Sequence, residues 1–179
     1  MRKQIIAPAA ALLLIMVVIS CRQDLPVVPS PVGPALKYTV PGDQYTFYAD
    51  SEKYTMTSLD RTKDYLCNFP WNVVSVVRTD NMVSVHISRP IECQVEYELI
   101  WDGTLMHSYP MMANVFINAI SQNCTNKGQV GVDTLNIDLK KTFKDLSEAT
   151  LENTNFLIRE VCALKDIQCM DDCNVSVSN

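Results

Sequence analysis

Ile91-Glu92-Cys93-Gln94-Val95-Glu96-Tyr97-Glu98-Leu99-Ile100-Trp101-Asp102-Gly103 is the stretch whose reading decides the fold. Ile91, Cys93, Val95, Tyr97, Leu99 and Trp101 alternate with Glu92, Gln94, Glu96 and Glu98, and only Ile100 breaks the polar side. Successive strand side chains point to opposite faces, so this period of two predicts a strand with one buried and one wet face. Asp102-Gly103 follows at once, the dipeptide of a two-residue type I′ turn, in which both central residues take positive φ. Residues 104–109 then read as the return strand, with Leu99 opposite Met106 inside and Glu98 opposite His107 outside. Such a hairpin predicts an antiparallel β protein.

Upstream of the hairpin, short strands are predicted over 36–40, which Pro41-Gly42-Asp43 ends, and over 44–49, with Tyr45, Phe47 and Ala49 inward. Residues 53–58, rich in Tyr and Thr, read as another strand, and 58–63 as a polar loop. The segments 72–78 and 82–88 form a pair across Thr79-Asp80-Asn81, with Val83, Val85 and Ile87 on one face and His86 on the polar one. Downstream, 110–122 fits two patterns: Met112, Val115, Phe116, Ala119 and Ile120 share a helical face, yet Val115, Ile117 and Ala119 also alternate. Residues 130–140 read as a strand in which Val130 and Val132 are offset from Leu135, Ile137 and Leu139, which predicts a bulge. From 147 to 168 the spacing turns helical, with Leu157, Val161, Leu164 and Gln168 along one line and Ser147, or Thr142 with Asp145, as N-cap. The predicted fold is mainly β: an antiparallel β-sandwich of seven to nine strands with a C-terminal α-helix, held by disulfides. It would occupy 35–173, with a polar tail at 174–179.

The first 20 residues have the pattern of an export signal: Arg2 and Lys3, then an apolar run over 5–19 interrupted by Pro8, then Ser20 before Cys21. At about 15 residues the run is short for a membrane span, which needs roughly 20. Val18-Ile19-Ser20-Cys21 resembles the lipobox of bacterial lipoproteins, which implies a lipid on Cys21; Val18 and Ser20 equally fit an ordinary secretory cleavage site. Residues 21–34 carry Pro26, Pro29, Pro31 and Pro34 and read as a semi-rigid tether. Setting Cys21 aside from the seven cysteines leaves Cys67, Cys93, Cys124, Cys162, Cys169 and Cys173, enough for three bridges with 15 connectivities open. Cys162, Cys169 and Cys173 are expected to tie the helix to the sheet through Cys67, Cys93 or Cys124.

Composition excludes more than it selects. With 15 basic against 20 acidic residues and a net charge of −5, the chain offers no field for nucleic acid, and the Lys140-Lys141 and Lys144 cluster reads as solvated surface. Five glycines leave little for phosphate-cradling loops, and two histidines, His86 and His107, leave few bases. No serine sits in a Gly-x-Ser-x-Gly elbow, Cys169 and Cys173 lack a second knuckle for zinc, and Asp166, Asp171 and Asp172 lack the calcium-loop pattern. Neither catalysis, a metal nor a cofactor is expected. Asn123-Cys124-Thr125 and Asn174-Val175-Ser176 fit the N-glycosylation pattern, so Asn123 and Asn174 are candidate acceptors on a eukaryotic secretory route. Asn68-Phe69-Pro70-Trp71 is a candidate recognition loop if its aromatics are exposed, and a core contact if they are buried.

The function expected is an exported, non-catalytic binding module, secreted or tethered at Cys21, that recognises another protein through sandwich loops or a sheet face. A small apolar-ligand carrier is the alternative. A signal peptide, a β-rich body, several disulfides and the run from Val74 to Val85 also resemble secreted viral or parasite immune-evasion sandwiches.

Overall fold

A computed structural model describes residues 36–121, 124, 128–164, 166–169 and 175–177, the backbone alone at 168, 169 and 175–177. The export signal, the tether, Cys21, Asn123, Cys173 and Asn174 lie outside the described residues. The protein is mainly β, and the described residues form ten strands in two sheets, a C-terminal helical region and two disulfides. The strands are β1 (Lys37–Pro41), β2 (Tyr45–Asp50), β3 (Asn72–Thr79), β4 (Met82–Pro90), β5 (Val95–Trp101), β6 (Met111–Ser121), β7 (Val130–Asp138), β8 (Thr154–Glu160), β9 (Asp166–Cys169) and β10 (Val175–Val177). The larger sheet runs β1-β2-β5-β6-β8-β9-β10 and the smaller β3-β4-β7. Most neighbours are antiparallel; β2–β5 and β6–β8 are parallel.

The core lies between the sheets. Phe47, Leu99, Val115, Phe156 and Ile158 of the larger sheet meet Val76, Val83, Val85, Leu135 and Ile137 of the smaller. Tyr45, Phe47, Tyr97 and Trp101, the four aromatics expected inside, are all buried. After β7 the chain forms α2 (Leu139–Thr142) and sends Phe143 inward, its ring centroid 5.0 Å from those of Phe47, Trp101 and Phe156. Three rings around a fourth, at tilted and edge-on angles, are a favourable aromatic arrangement.

The alternating segment does form a strand, but the hairpin differs from the expected one. Residues 91–94 are not strand, and Ile91 is exposed. β5 pairs with β6, placing Leu99 opposite Ile117 and Glu98 opposite Asn118. Residues 102–110 form a loop that touches β6 through one bridge, Met106 to Met112. Gly103 takes a positive φ of 85°, but Asp102 does not, so the type I′ turn is absent. Instead the Asp102 carboxylate accepts the Thr104 N–H (2.9 Å) and the Trp101 indole donates to the Thr104 carbonyl (2.8 Å). An Asx turn of this kind bends the chain out of the sheet plane. The apolar 111–121 run then satisfies the whole length of β5, which the polar 107–108 stretch could not.

Three other expectations change. Residues 53–58 belong to α1 (Ser51–Leu59), not to a strand: the Asp50 carboxylate accepts from the Glu52 and Lys53 N–H groups (3.0 and 3.1 Å), and this N-cap outweighs the weak β preference of Tyr and Thr. The helix expected over 147–168 is confined to α3 (Glu148–Glu152), which Ser147 does cap, and β8 and β9 follow. β8 sits between β6 and β9 with both faces largely buried, so it lacks the polar alternation that marks a strand. The same holds for β6, which resolves the ambiguity at 110–122 in favour of strand. The bulge expected at 133–134 is absent, since β4 and β7 stay in one register from Met82–Asp138 to Pro90–Val130. Val130 and Val132 are valines on the outer face, and the irregularity lies at 73/75 in β3.

Candidate functional site

The two sheets turn very different outer faces to their surroundings. On the larger sheet, α1 and the following loop cover the surface. Tyr54 packs on Phe116 at 4.6 Å between ring centroids, and Ile100, Phe116 and Val161 form a second apolar cluster beneath it. Polar ties hold this cover. Lys53 pairs with Glu98 at 2.7 Å, and Arg61 and Arg159 both reach Asp166, at 2.9 and 3.2 Å. The Arg61 guanidinium also donates to the Glu160 carbonyl (2.6 Å), and Cys67 is bridged to Cys162 with a Cα separation of 5.5 Å.

Among the described residues nothing covers the outer face of the smaller sheet. Arg78, Arg89, Asp133 and the apolar Val76, Val83, Val85, Leu135 and Ile137 occupy the inner side. Outward along β3 come Asn72, Val74, Ser75, Val77 and Thr79; along β4, Met82, Ser84, His86 and Ser88; along β7, Val130, Val132, Thr134 and Asn136. Apart from Asp138, whose carboxylate caps α2, this face carries no acidic or Lys/Arg side chain. Its polar groups pair across strands: the Ser84 hydroxyl donates to Asn136 Oδ1 at 2.8 Å, and His86 Nδ1 lies 2.9 Å from the Thr134 hydroxyl. Val130 and Val132 are 65% and 60% exposed, with Val74, Val77 and Met82 also open to solvent. Depletion of charge and exposed aliphatics are the composition of interface cores rather than of ordinary solvated surface.

Among the described residues, those singled out in the sequence fall as follows. Phe69 and Trp71 are buried in the main core, so the 68–71 segment is a core contact, and it offers only Asn68 and Pro70 to solvent. Cys67 bridges to Cys162, a pair of the expected kind, whereas Cys93 bridges to Cys124, with Cα atoms 4.6 Å apart, so two cysteines expected to receive the C-terminal ones pair with each other instead. Cys169 lies in β9, where only its backbone is described. His107 is not opposite Glu98; it stands in the exposed 102–110 loop beside Tyr109, which is 97% exposed. Glu98 pairs with Lys53 instead. Lys140 pairs with Glu148, and the Lys144 ammonium lies 4.2 Å from the Tyr38 ring, so that cluster belongs to the surface.

No local sequence pattern marks the pairing of Arg89 with Asp133. Arg89 binds both Asp133 oxygens, at 2.6 and 2.9 Å, and turns Nη1 to the carbonyls of Pro90, Ile91 and Cys93. The Tyr97 hydroxyl donates to Asp133 Oδ2 at 2.7 Å, joining the sheets. Burial alone would raise the Asp133 pKa, but the hydrogen bonds from Arg89 and Tyr97 outweigh it and hold the carboxyl below its ordinary value. Burial first, and the Asp133 carboxylate second, push the Tyr97 phenol well up. These groups form one wall of an open cleft of about 440 Å³ that also includes Asp43, Tyr45, Glu96 and Glu98. An aspartate saturated by a guanidinium and a phenol is a structural tie, not a base.

Among the described residues no group of His, Cys, Asp and Glu could hold a metal ion, and no helix is long and apolar enough to cross a membrane. The void between the sheets is about 10 Å³, walled by Phe47, Leu99, Phe143 and Phe156, which is room for one water at most. No protein-family model, curated protein or solved structure matches the chain.

Proposed function

We propose that this protein is an exported, non-catalytic binding module that recognises another protein through the outer face of its three-stranded sheet. The observation that carries the reading is the absence of charged side chains from the outward positions of β3, β4 and β7, apart from the capping Asp138, in a chain where one residue in five is charged. A free sheet face is normally kept soluble by charge; here serines, threonines, asparagines and open valines replace it. Two disulfides and the lack of a membrane-length apolar helix among the described residues support an extracellular setting. The packed space between the sheets counts against an apolar-ligand carrier, which needs a cavity of some hundreds of Å³.

The test compares capture of proteins from the native surroundings by the oxidised protein and by three variants. Val77→Lys and Ser84→Lys place charge at the centre of the face, and Met56→Lys places it on exposed α1. The reading expects the first two to lose, by at least tenfold, a partner that the third retains. Equal capture by all four proteins, or loss only with Met56→Lys, contradicts it.

A further inference from the structure

The smaller sheet has two edges, and they are not equivalent. β3 lies against β8 and β9 of the larger sheet, whereas β7 has β4 as its only strand neighbour among the described residues. β7 runs nine residues without a bulge, and it contains no proline, lysine or arginine. The edge of the larger sheet at β1 shows the usual protections: five residues, with Lys37 exposed and Pro41 at the end.

The ladder shows which groups of β7 are open. Ile91 N–H donates to the Gln129 carbonyl (3.2 Å) and Leu139 N–H to that of Asn81 (2.8 Å), so in this register the odd-numbered residues of β7 bond to β4. The main-chain N–H and C=O groups of Val132, Thr134 and Asn136 therefore point away from the sheet. Their side chains lie on the uncharged outer face. A strand added here would extend that face, and its alternate side chains would turn inward toward the cleft walled by Asp133 and Tyr97.

That cleft is acidic. Asp43, Glu96, Glu98 and Asp133 line it; Arg89 is spent on Asp133 and Lys53 on Glu98, which leaves the charges of Asp43 and Glu96 with no further cation in its lining. A second copy of the chain is a poor occupant, because antiparallel β7–β7 pairing would set two acidic clefts and two chains of net charge −5 side by side. The chain's own residues 21–34 are also poor, since four prolines among them lack the N–H groups a ladder needs. We propose that β7 accepts, as an added strand, an extended segment of the protein partner that carries lysine or arginine at alternate positions. This rests on the protein-binding reading and specifies its mode.

The test uses the whole oxidised protein and a capped nine-residue peptide alternating threonine with lysine. Two control peptides carry glutamate in place of lysine, or N-methyl groups on the residues that would bond to β7. The readout is NMR amide exchange. In the free protein, Asp133, Leu135 and Ile137 should exchange slowly and Val132, Thr134 and Asn136 fast. The lysine peptide should slow the latter three at least tenfold, and neither control should. Thr134→Pro should abolish the effect, and the N-methylated peptide gives the same information should that variant fail to fold. No slowing, or equal slowing by all three peptides, overturns the proposal. Slowing that grows with protein concentration without peptide also overturns it, in favour of a second copy. If Val77→Lys and Ser84→Lys still abolish capture while the β7 edge never responds, strand addition falls and the binding face stands.

Discussion

The outer faces of the two sheets are built from the same strand geometry and end in opposite states. On the larger sheet, Phe116 is fully buried beneath Tyr54, and arginines, a disulfide and a capped helix hold that cover in place. On the smaller sheet, Val132 occupies a comparable outward position and remains 60% exposed, with no charge around it. The first face belongs to the fold. The second contributes little to stability and has a surface suited to something else. Stability measurements and binding measurements should therefore separate cleanly between them.

The largest expected effect removes the tie on the covered face. Replacing Cys67 and Cys162 together opens a loop of 95 residues, and loop-closure entropy puts the loss at about 4.7 kcal/mol. The Cys93–Cys124 bridge spans 31 residues and should cost about 3.7 kcal/mol. Urea unfolding of the two double variants reads both numbers, and the reverse order would show that the cover matters less than its packing implies. Next comes Phe116→Ala, expected to cost about 3–5 kcal/mol because a buried ring leaves a cavity. Val132→Ala, on the bare face, should stay within about 0.5 kcal/mol.

The tie between the sheets gives a pH signature. Asp133→Asn breaks a bidentate, largely buried ion pair and should cost about 2–3 kcal/mol at pH 7. The folded pKa of Asp133 lies below its unfolded value of about 3.9, so its contribution is fully present above that pH and fades as the pH falls through the folded value. The stability gap between the native protein and the variant should hold from pH 7 to about pH 5 and close below about pH 4. A gap that instead closes on going alkaline would assign the effect to another group. Ser84→Lys should also change stability little, within about 1 kcal/mol for one exposed hydrogen bond to Asn136, even though it should weaken capture at least tenfold.

How much of this could be read from the chain follows from burial. Strands with one wet face announced themselves: β2 with Tyr45, Phe47 and Ala49 inward, β4 with Val83, Val85 and Ile87, and β5 itself. β8 did not, because a strand flanked on both sides and covered on both faces keeps apolar residues everywhere, and Leu157, Val161 and Leu164 then fall on a helical line by accident. α1 carries no periodic mark, because its signal is a single carboxylate, Asp50, at its start, not an apolar stripe; none of its residues is fully buried. Asp102-Gly103 suggested a tight turn, but only the longer 102–110 connection lets β5 find the apolar run of β6. The candidate face was legible in part. The outward residues of 72–79, 82–88 and 130–136 alternate in the sequence and lack charge, yet only the register that lays β3, β4 and β7 side by side turns three unremarkable strands into one surface. Arg89 and Asp133 are 44 residues apart and carry no local pattern, so their pairing was not accessible at all.

The most direct test of the account is carbene footprinting of the oxidised protein, alone and bound to the partner it captures. Free protein should label strongly at Val77, Met82 and Val132 and not at Phe116 or Ile100. In the complex, the sheet residues should lose label severalfold while Met56 and Leu59 of α1 keep theirs. Protection confined to α1 or to Tyr109, with the sheet face labelled as before, would contradict it.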